Sequence, residues 1–557
     1  MLILPFWLSL GLVWAYGFVV ADRQAIIGGG SQLRDHADFY SLCLVSRFFY
    51  TIAIRFLYRR LKIPHRTSGD IATPLHAVLT SQQQERLLLL SARDKDGRAC
   101  RSGKGSGFDR DLSDCGKFVR EFEIAPLVDN VVGDAEIARE IVESAIENMS
   151  DLESFAWTTS NRKALRRSHR ISSSLARKPR LHSLSLSNIL ETDVPLLHLR
   201  PLHSATFILD SGFASLAHRP VASTADYDII RKILKTSSGT LKSLTLITKR
   251  GDQPHFEDES LIFGGCEGSH ESVFKESPAG AEVTRLERLD SLTLAERPFT
   301  AKRLKVFTQA INFNNLRRLE IISCPGAELL LSAITPPGGH GPSASAERAS
   351  EEAGGVFPNL RTLGIRATQS ALASFLQCFR GLQDLRYELG CDSADWEAPG
   401  GNRRQVSSIK ISRNLLETIA THHGTTLQRL AILSPEQWKV IDETGMEILT
   451  GKCRALVKLC CCVASFSFNF YQPAVAHAQS SLSTLYIHVR VLFSESEARE
   501  FAQVVLQQIP RLKTVGMLAG GYRARPFVFR VCPGGALERI FVRDFLEREL
   551  RAGEFGD

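Results

Sequence analysis

Cysteine is scarce, with twelve residues in a chain of 557, too few for a disulfide framework. Several sit among leucines and other apolar residues, as in the run KLCCCVA at 458–464, where they read as small buried hydrophobes. That usage points to a reducing compartment, the cytoplasm or the nucleus. No pair of CxxC motifs and no Cys/His array at zinc spacing occurs, so neither pattern marks a metal site. A G-x-S-x-G elbow, an HExxH helix and a Walker sequence are equally missing. The glycine-rich GKGSG at 103–107 lacks the P-loop spacing. The chain therefore reads as non-catalytic, without cofactor. Fifteen histidines are scattered, and their one adjacent pair, His422–His423, stands near the end of a helical segment, where it is expected to bond the last carbonyls.

Charge of one sign is also lacking in any dense run. Lys and Arg number 68 against 60 Asp and Glu, for a formal net charge of +8. The strongest basic cluster, RKALRRSHR at 162–170, has no aromatic residues interleaved for stacking on bases. It reads as a solvated face, and no nucleic-acid partner is expected.

What is present is a chain 44% hydrophobic and 23% charged, globular by composition and long enough for a large core, several domains or a repeat array. Residues 2–21, LILPFWLSLGLVWAYGFVVA, carry no charge and are about long enough to cross a bilayer. Three readings stay open for 1–37: a membrane tether, a secretory signal, or a misassigned start. The first two make membrane-tethered or secretory-pathway placement the alternative to a cytoplasmic or nuclear one, with membrane contact through residues 2–21.

In SLCLVSRFFYTIAIRFLYRRL at 41–61, Leu42, Val45, Phe49, Ile52, Ala53 and Phe56 recur at steps of three and four and so share one helix face. Leu44, Phe48, Tyr40, Ile54 and Tyr58 extend the apolar surface around it, which calls for burial on two sides. The longer stretch DFYSLCLVSRFFYTIAIRFLYRRL, 38–61, resembles the second half of an F-box of filamentous-fungal F-box proteins. Asp38, Leu42, Leu44, Val45, Ser46, Arg47, Phe48, Phe49 and the LYRRL ending at Leu61 carry the likeness; residues 22–37 do not show the first half. The resemblance implies a Skp-family adaptor and a cullin as partners. Leu42, Leu44, Val45 and Phe48 would divide between module core and adaptor contact, with Arg47 at the rim.

Beyond residue 115 a pattern returns that is apolar at positions one, four and six, suited to a strand whose alternate residues face inward. It is the leucine-rich-repeat core LxxLxL. Instances begin at Leu152, Leu181, Leu241, Leu289, Leu316, Leu360, Leu382, Leu427, Leu456, Leu482 and Leu512, with VREFEI from Val119 as a first strand. Most separations suit one repeat of about 20–29 residues, and the wider gaps suit either a degenerate repeat or an insertion. Amphipathic helix candidates start at Ala301, Ser370, Asn414 and Ser494.

The expected fold is α/β: a leucine-rich-repeat solenoid with parallel strands on its concave face and helices outside, behind a short all-α F-box-like segment. The plan is an atypical apolar N-terminus at 1–37, the F-box-like helical segment at 38–64, helix and linker at 65–118, the solenoid at 119–530 and a C-terminal cap or tail at 531–557. Polar, glycine-punctuated loop insertions fall at about 249–282 and 335–355. Leu319 and Leu363, each the middle leucine of its motif, are predicted to face the core. The function implied is that of a substrate receptor in a cullin-based ubiquitin ligase, holding a target protein of unknown identity near the conjugating enzyme. The alternative is a non-ligase repeat scaffold, soluble or tethered through residues 2–21.

Overall fold

The structure, a computed structural model, describes residues 55–56, 58–63, 112–124, 135–158, 167–187, 189, 191–210, 224–249, 283–296, 299, 301–335, 357–389, 411–433, 441–463, 481–489, 494–509, 511–519, 527–532 and 534–540. It is an α/β array built on one sheet of 16 strands whose spatial order is their order in the chain. The strands are β1 Arg60–Ile63, β2 Glu121–Ile124, β3 Ser154–Trp157, β4 Ser183–Ser187, β5 Ser204–Asp210, β6 Ser243–Lys249, β7 Ser291–Ala295 and β8 Arg318–Ile322. Then follow β9 Thr362–Ala367, β10 Asp384–Leu389, β11 Arg429–Leu433, β12 Lys458–Val463, β13 Thr484–Val489, β14 Thr514–Ala519, β15 Phe527–Val531 and β16 Leu537–Ile540. Every pairing from β1 to β14 is parallel, and the last two, β14 with β15 and β15 with β16, are antiparallel.

Each LxxLxL instance begins two residues before a strand, and the register aligns like position with like. Leu244, Leu292, Leu319 and Leu363 form one continuous row at position four, and Leu246, Leu294, Ile321 and Ile365 form the row at position six. Both rows are buried, with Leu319 and Leu363 at 0% exposure. Each such side chain contributes about 1.5–3 kcal/mol by leaving water, and it does so only because the neighbouring repeat covers it. The same junction recurs throughout. The N–H groups of positions two and three both donate to the position-two carbonyl of the preceding repeat, as Arg317 and Arg318 do to Asp290 and Arg361 and Thr362 do to Arg317.

Helices cover the position-four and position-six side. Those used below are α1 Ala135–Asn148, α2 His169–Ala176, α3 Thr224–Ser237, α4 Ala301–Ala310, α5 Ala327–Ile334, α6 Gln369–Leu376, α7 Arg413–His423, α8 Glu443–Lys452 and α9 Glu495–Gln508. Ser168, Ser412, Asp442 and Ser494 cap α2, α7, α8 and α9, with a full capping box between Ser494 and Glu497, which satisfies first-turn N–H groups. Between the helices and the sheet, Phe299, Phe307, Phe313, Phe357, Phe375 and Phe379 form a chain of ring contacts that ends on His423.

Three expectations change, and one choice left open is decided. Residues 60–63 are a strand and not the end of a helical segment: Tyr58, Leu61 and Ile63 repeat the one-four-six spacing, and Tyr58 and Leu61 pack against the core. Strand β5 is a repeat whose Leu202, Ala205 and Phe207 occupy the three core positions, all buried. At the wide gaps the flanking strands pair directly, β6 with β7, β8 with β9 and β10 with β11, so these gaps are insertions; residues 250–282 and 336–356 themselves lie outside the described residues. The parallel array stops at Ala519 and an antiparallel hairpin starts at Phe527, so capping begins before 531.

Within the basic cluster, of which residues 167–170 are described, Arg170 is exposed as expected and Arg167 is not. Arg167 is buried and meets Asp193 with Nε and Nη2 at 3.1 and 2.7 Å. Its Nη1 donates to the Ser187 carbonyl at 2.9 Å, and Ser172 donates to Asp193 at 2.7 Å. Arg170 pairs with Glu147 at 2.9 Å. These arginines are engaged with carboxylates of the chain itself.

Candidate protein-binding face

Because side chains alternate along a strand, positions three and five of every repeat point away from the helices. Together they form a second face whose chemistry changes in zones along the sheet. At the N-terminal margin, Arg60 and Lys62 of β1 face Glu121 and Glu123 of β2, with Lys62 Nζ 2.6 Å from Glu123. Five strands of small side chains follow. Positions three and five read Ser154 and Ala156, Ser183 and Ser185, Ser204 and Thr206, Ser243 and Thr245, Ser291 and Thr293. This lane carries no charge, and short hydroxyls let another backbone come close.

Charge returns at β8. Arg318 Nη2 donates to Glu320 at 2.9 Å, and Thr293 at the edge of the hydroxyl lane donates to the same carboxylate at 3.1 Å. The Glu320 side chain lies flat because Gly364 stands next to it, where an added Cβ would come within 3.2 Å of Glu320 Cγ. Arg429 pairs with Asp384 at 2.8 Å and Arg366 with Glu388 at 3.8 Å. Burial pushes the Asp384 carboxyl above its usual range, while Arg429, Arg318, Lys458 and Arg386 around it act in the opposite direction.

From β12 onward the second face turns apolar. Cys460, Tyr486 and Val528 form a small cluster of their own, with Ala431 and Ile540 against it. The Tyr486 ring lies over Gly516, where a Cβ would come within 2.2 Å of ring carbon Cδ1, so only glycine fits under it. Burial raises the thiol pKa of Cys460 and of Cys461, which holds both in the unreactive thiol form.

On the helix side, His423 is buried and its ring is held between two backbone groups. Nε2 lies 3.1 Å from the Leu376 carbonyl at the end of α6, and the Leu382 N–H donates to Nδ1 at 3.4 Å. Those partners select the neutral tautomer protonated on Nε2, and burial pulls its pKa down to about 4. The histidine pair was expected to meet carbonyls ending its own helix; His423 meets one ending the neighbouring helix.

Leu42, Leu44, Val45, Arg47 and Phe48 lie outside the described residues, as do residues 2–21. Among the described residues no helix is long and apolar enough to cross a membrane, and no group of three His, Cys, Asp or Glu side chains is placed to hold a metal ion. Sequence reasoning missed the zoning of the second face. Its signal was the residue between the two inward positions, Ser or Thr in SLSL, SLTL and SLTL, then Glu and Arg. No protein-family model matches the chain, and no curated protein matches it.

Proposed function

We propose that the chain is a leucine-rich-repeat substrate receptor of a cullin-based ubiquitin ligase, with the second face of the sheet as the surface that takes the target protein. The observation that carries the reading is a constant backbone junction beneath a variable face. Positions one, four and six stay apolar from repeat to repeat while positions three and five run from hydroxyl to charged to apolar. A surface whose chemistry changes over an unchanged scaffold suits recognition of one extended partner.

Attachment to a Skp-family adaptor rests on the F-box-like segment and its Leu42, Leu44, Val45, Arg47 and Phe48. Strand β1, Arg60–Ile63, lies at the end of that segment, and Tyr58 and Leu61 pack on the core. The adaptor-bound part would then join the sheet at its first strand.

The test is co-purification of a Skp-family adaptor with the full chain, with Phe48→Asp, and with a version whose residues 1–37 are replaced by an ordinary F-box first half. An unpaired carboxylate in a desolvated contact costs several kcal/mol, about a thousandfold in affinity. Binding by the full chain and its loss in Phe48→Asp is the expected result. If no version retains adaptor while the sheet stays folded, the ligase reading fails and the protein is a non-ligase scaffold.

A further inference from the structure

The charged zone of the second face is not balanced. Among the described residues its cations are Arg318, Arg366, Arg386, Arg429 and Lys458, and its carboxylates are Glu320, Asp384 and Glu388, so on these strands cations exceed carboxylates by two. Depth separates the signs as well. Glu320, Glu388 and Asp384 have side-chain exposures of 5%, 17% and 24%, whereas Arg366, Arg318 and Arg429 have 25%, 36% and 57%. The carboxylates thus form a floor that braces the guanidinium groups, and the guanidinium groups face outward. Asp384 alone lies within the field of Arg429, Arg318, Lys458 and Arg386.

Resting on the reading that this face takes the target, we propose that the zone over β8–β12 docks an extended, carboxylate-rich peptide segment with an acidic residue at every third position. The spacing follows from the sheet. Arg318, Arg386 and Lys458 stand on β8, β10 and β12, and strands two apart are separated by about 9.6 Å. Three residues of extended chain span about 10 Å. A peptide running across the strands therefore presents one carboxylate to each cation, the long basic side chains taking up the offset along the strands. Past Arg318 on β8, small residues of the peptide would continue over the uncharged hydroxyl lane on β3–β7.

The probe is a fluorescein-labelled peptide of four Glu-Ser-Ser units, with a Gln-Ser-Ser peptide for comparison, titrated with the purified full chain at low ionic strength and read by anisotropy. The Glu peptide should bind, the Gln peptide should not, and added salt should weaken the complex. Arg386→Gln and Lys458→Gln should each lower affinity about fivefold. Lys232→Gln, on the helix side, changes net charge equally and should leave affinity unchanged. Circular dichroism shows which variants fold; Lys458→Gln alone carries the comparison if Arg386→Gln does not. Equal binding of the Glu and Gln peptides, insensitivity to Lys458→Gln, or equal competition by an RNA oligonucleotide of matching charge overturns the proposal. Adaptor is absent from this titration, so loss of adaptor binding and loss of peptide binding are separate outcomes.

Discussion

Removing Asp193 isolates the energetics of the buried polar network between β4, α2 and the 3-10 turn Glu191–His198. The Asp193 side chain is 0% exposed and that of Arg167 is 2% exposed, so Asp193→Ala leaves a guanidinium in the interior with its countercharge gone. Truncating one partner of a buried pair costs about 3–5 kcal/mol. The Ser172 hydroxyl loses its acceptor at the same time, adding about 1–3 kcal/mol if no water replaces it. Against a typical total stability of about 5–15 kcal/mol, such a loss removes most of the margin. The double replacement Arg167→Met with Asp193→Leu should behave differently, since exchanging a buried pair for apolar groups is neutral or favourable by about 1–4 kcal/mol. Loss of the Arg167 bond to the Ser187 carbonyl and of the Ser172 bond to Asp193 offsets part of that gain. Urea unfolding of the wild type, Arg167→Met, Asp193→Leu and the double variant closes a mutant cycle, with Asp193→Ala measured beside it. The double variant should be more stable than Asp193→Ala. A cost below about 1 kcal/mol for Asp193→Ala, the range of a solvated surface pair, would refute the claim that Arg167 depends on this one carboxylate.

Two further expectations concern the core. Leu319→Ala, in a row between Leu292 and Leu363, should cost about 2–5 kcal/mol, read as a lowered unfolding midpoint; an unchanged midpoint would show that the row does not seal the repeats. Burial holds the folded pKa of His423 at about 4, below the ordinary 6.5 of an exposed imidazole, so its stabilising neutral form is fully present above pH 6.5 and is lost as pH falls from 6.5 through 4. That difference amounts to at most about 3 kcal/mol. His423→Gln should therefore flatten the loss of stability between pH 7 and 4, and an unaltered pH profile would mean that other groups govern it.

The repeats were legible because a leucine at position four has one structural use in this array, and Leu319 and Leu363 are buried as their spacing predicted. The miss at β5 has a plain cause. Ala205 and Phe207 stand buried at the two positions that leucines hold in other repeats, a small-large exchange that a pattern counting leucines passes over. Strand β1 was hidden by its context, since Tyr58, Leu61 and Ile63 follow a segment with helical spacing and only the presence of β2 beside them decides for a strand. Arg167 could not be distinguished by sequence from Arg166 or Arg170, because its burial depends on Asp193, 26 residues away. The hydroxyl lane and the charged zone lie in positions the motif leaves free, so they were visible letter by letter but acquired meaning only when the register put them side by side.

The antiparallel hairpin at the C-terminal margin gives the molecule a direction of growth. Every step from β1 to β14 could be copied, because each presents to the next the same paired N–H donors and the same carbonyl. Strand β15 runs against that direction and β16 returns to it, so the parallel junction that each repeat hands to the next is interrupted after β14. Between β1 and β14, by contrast, a duplicated strand inherits matching parallel neighbours on both sides. A longer or shorter face is thus reached by inserting or deleting whole units between fixed ends, leaving the N-terminal segment and the closing hairpin as they are.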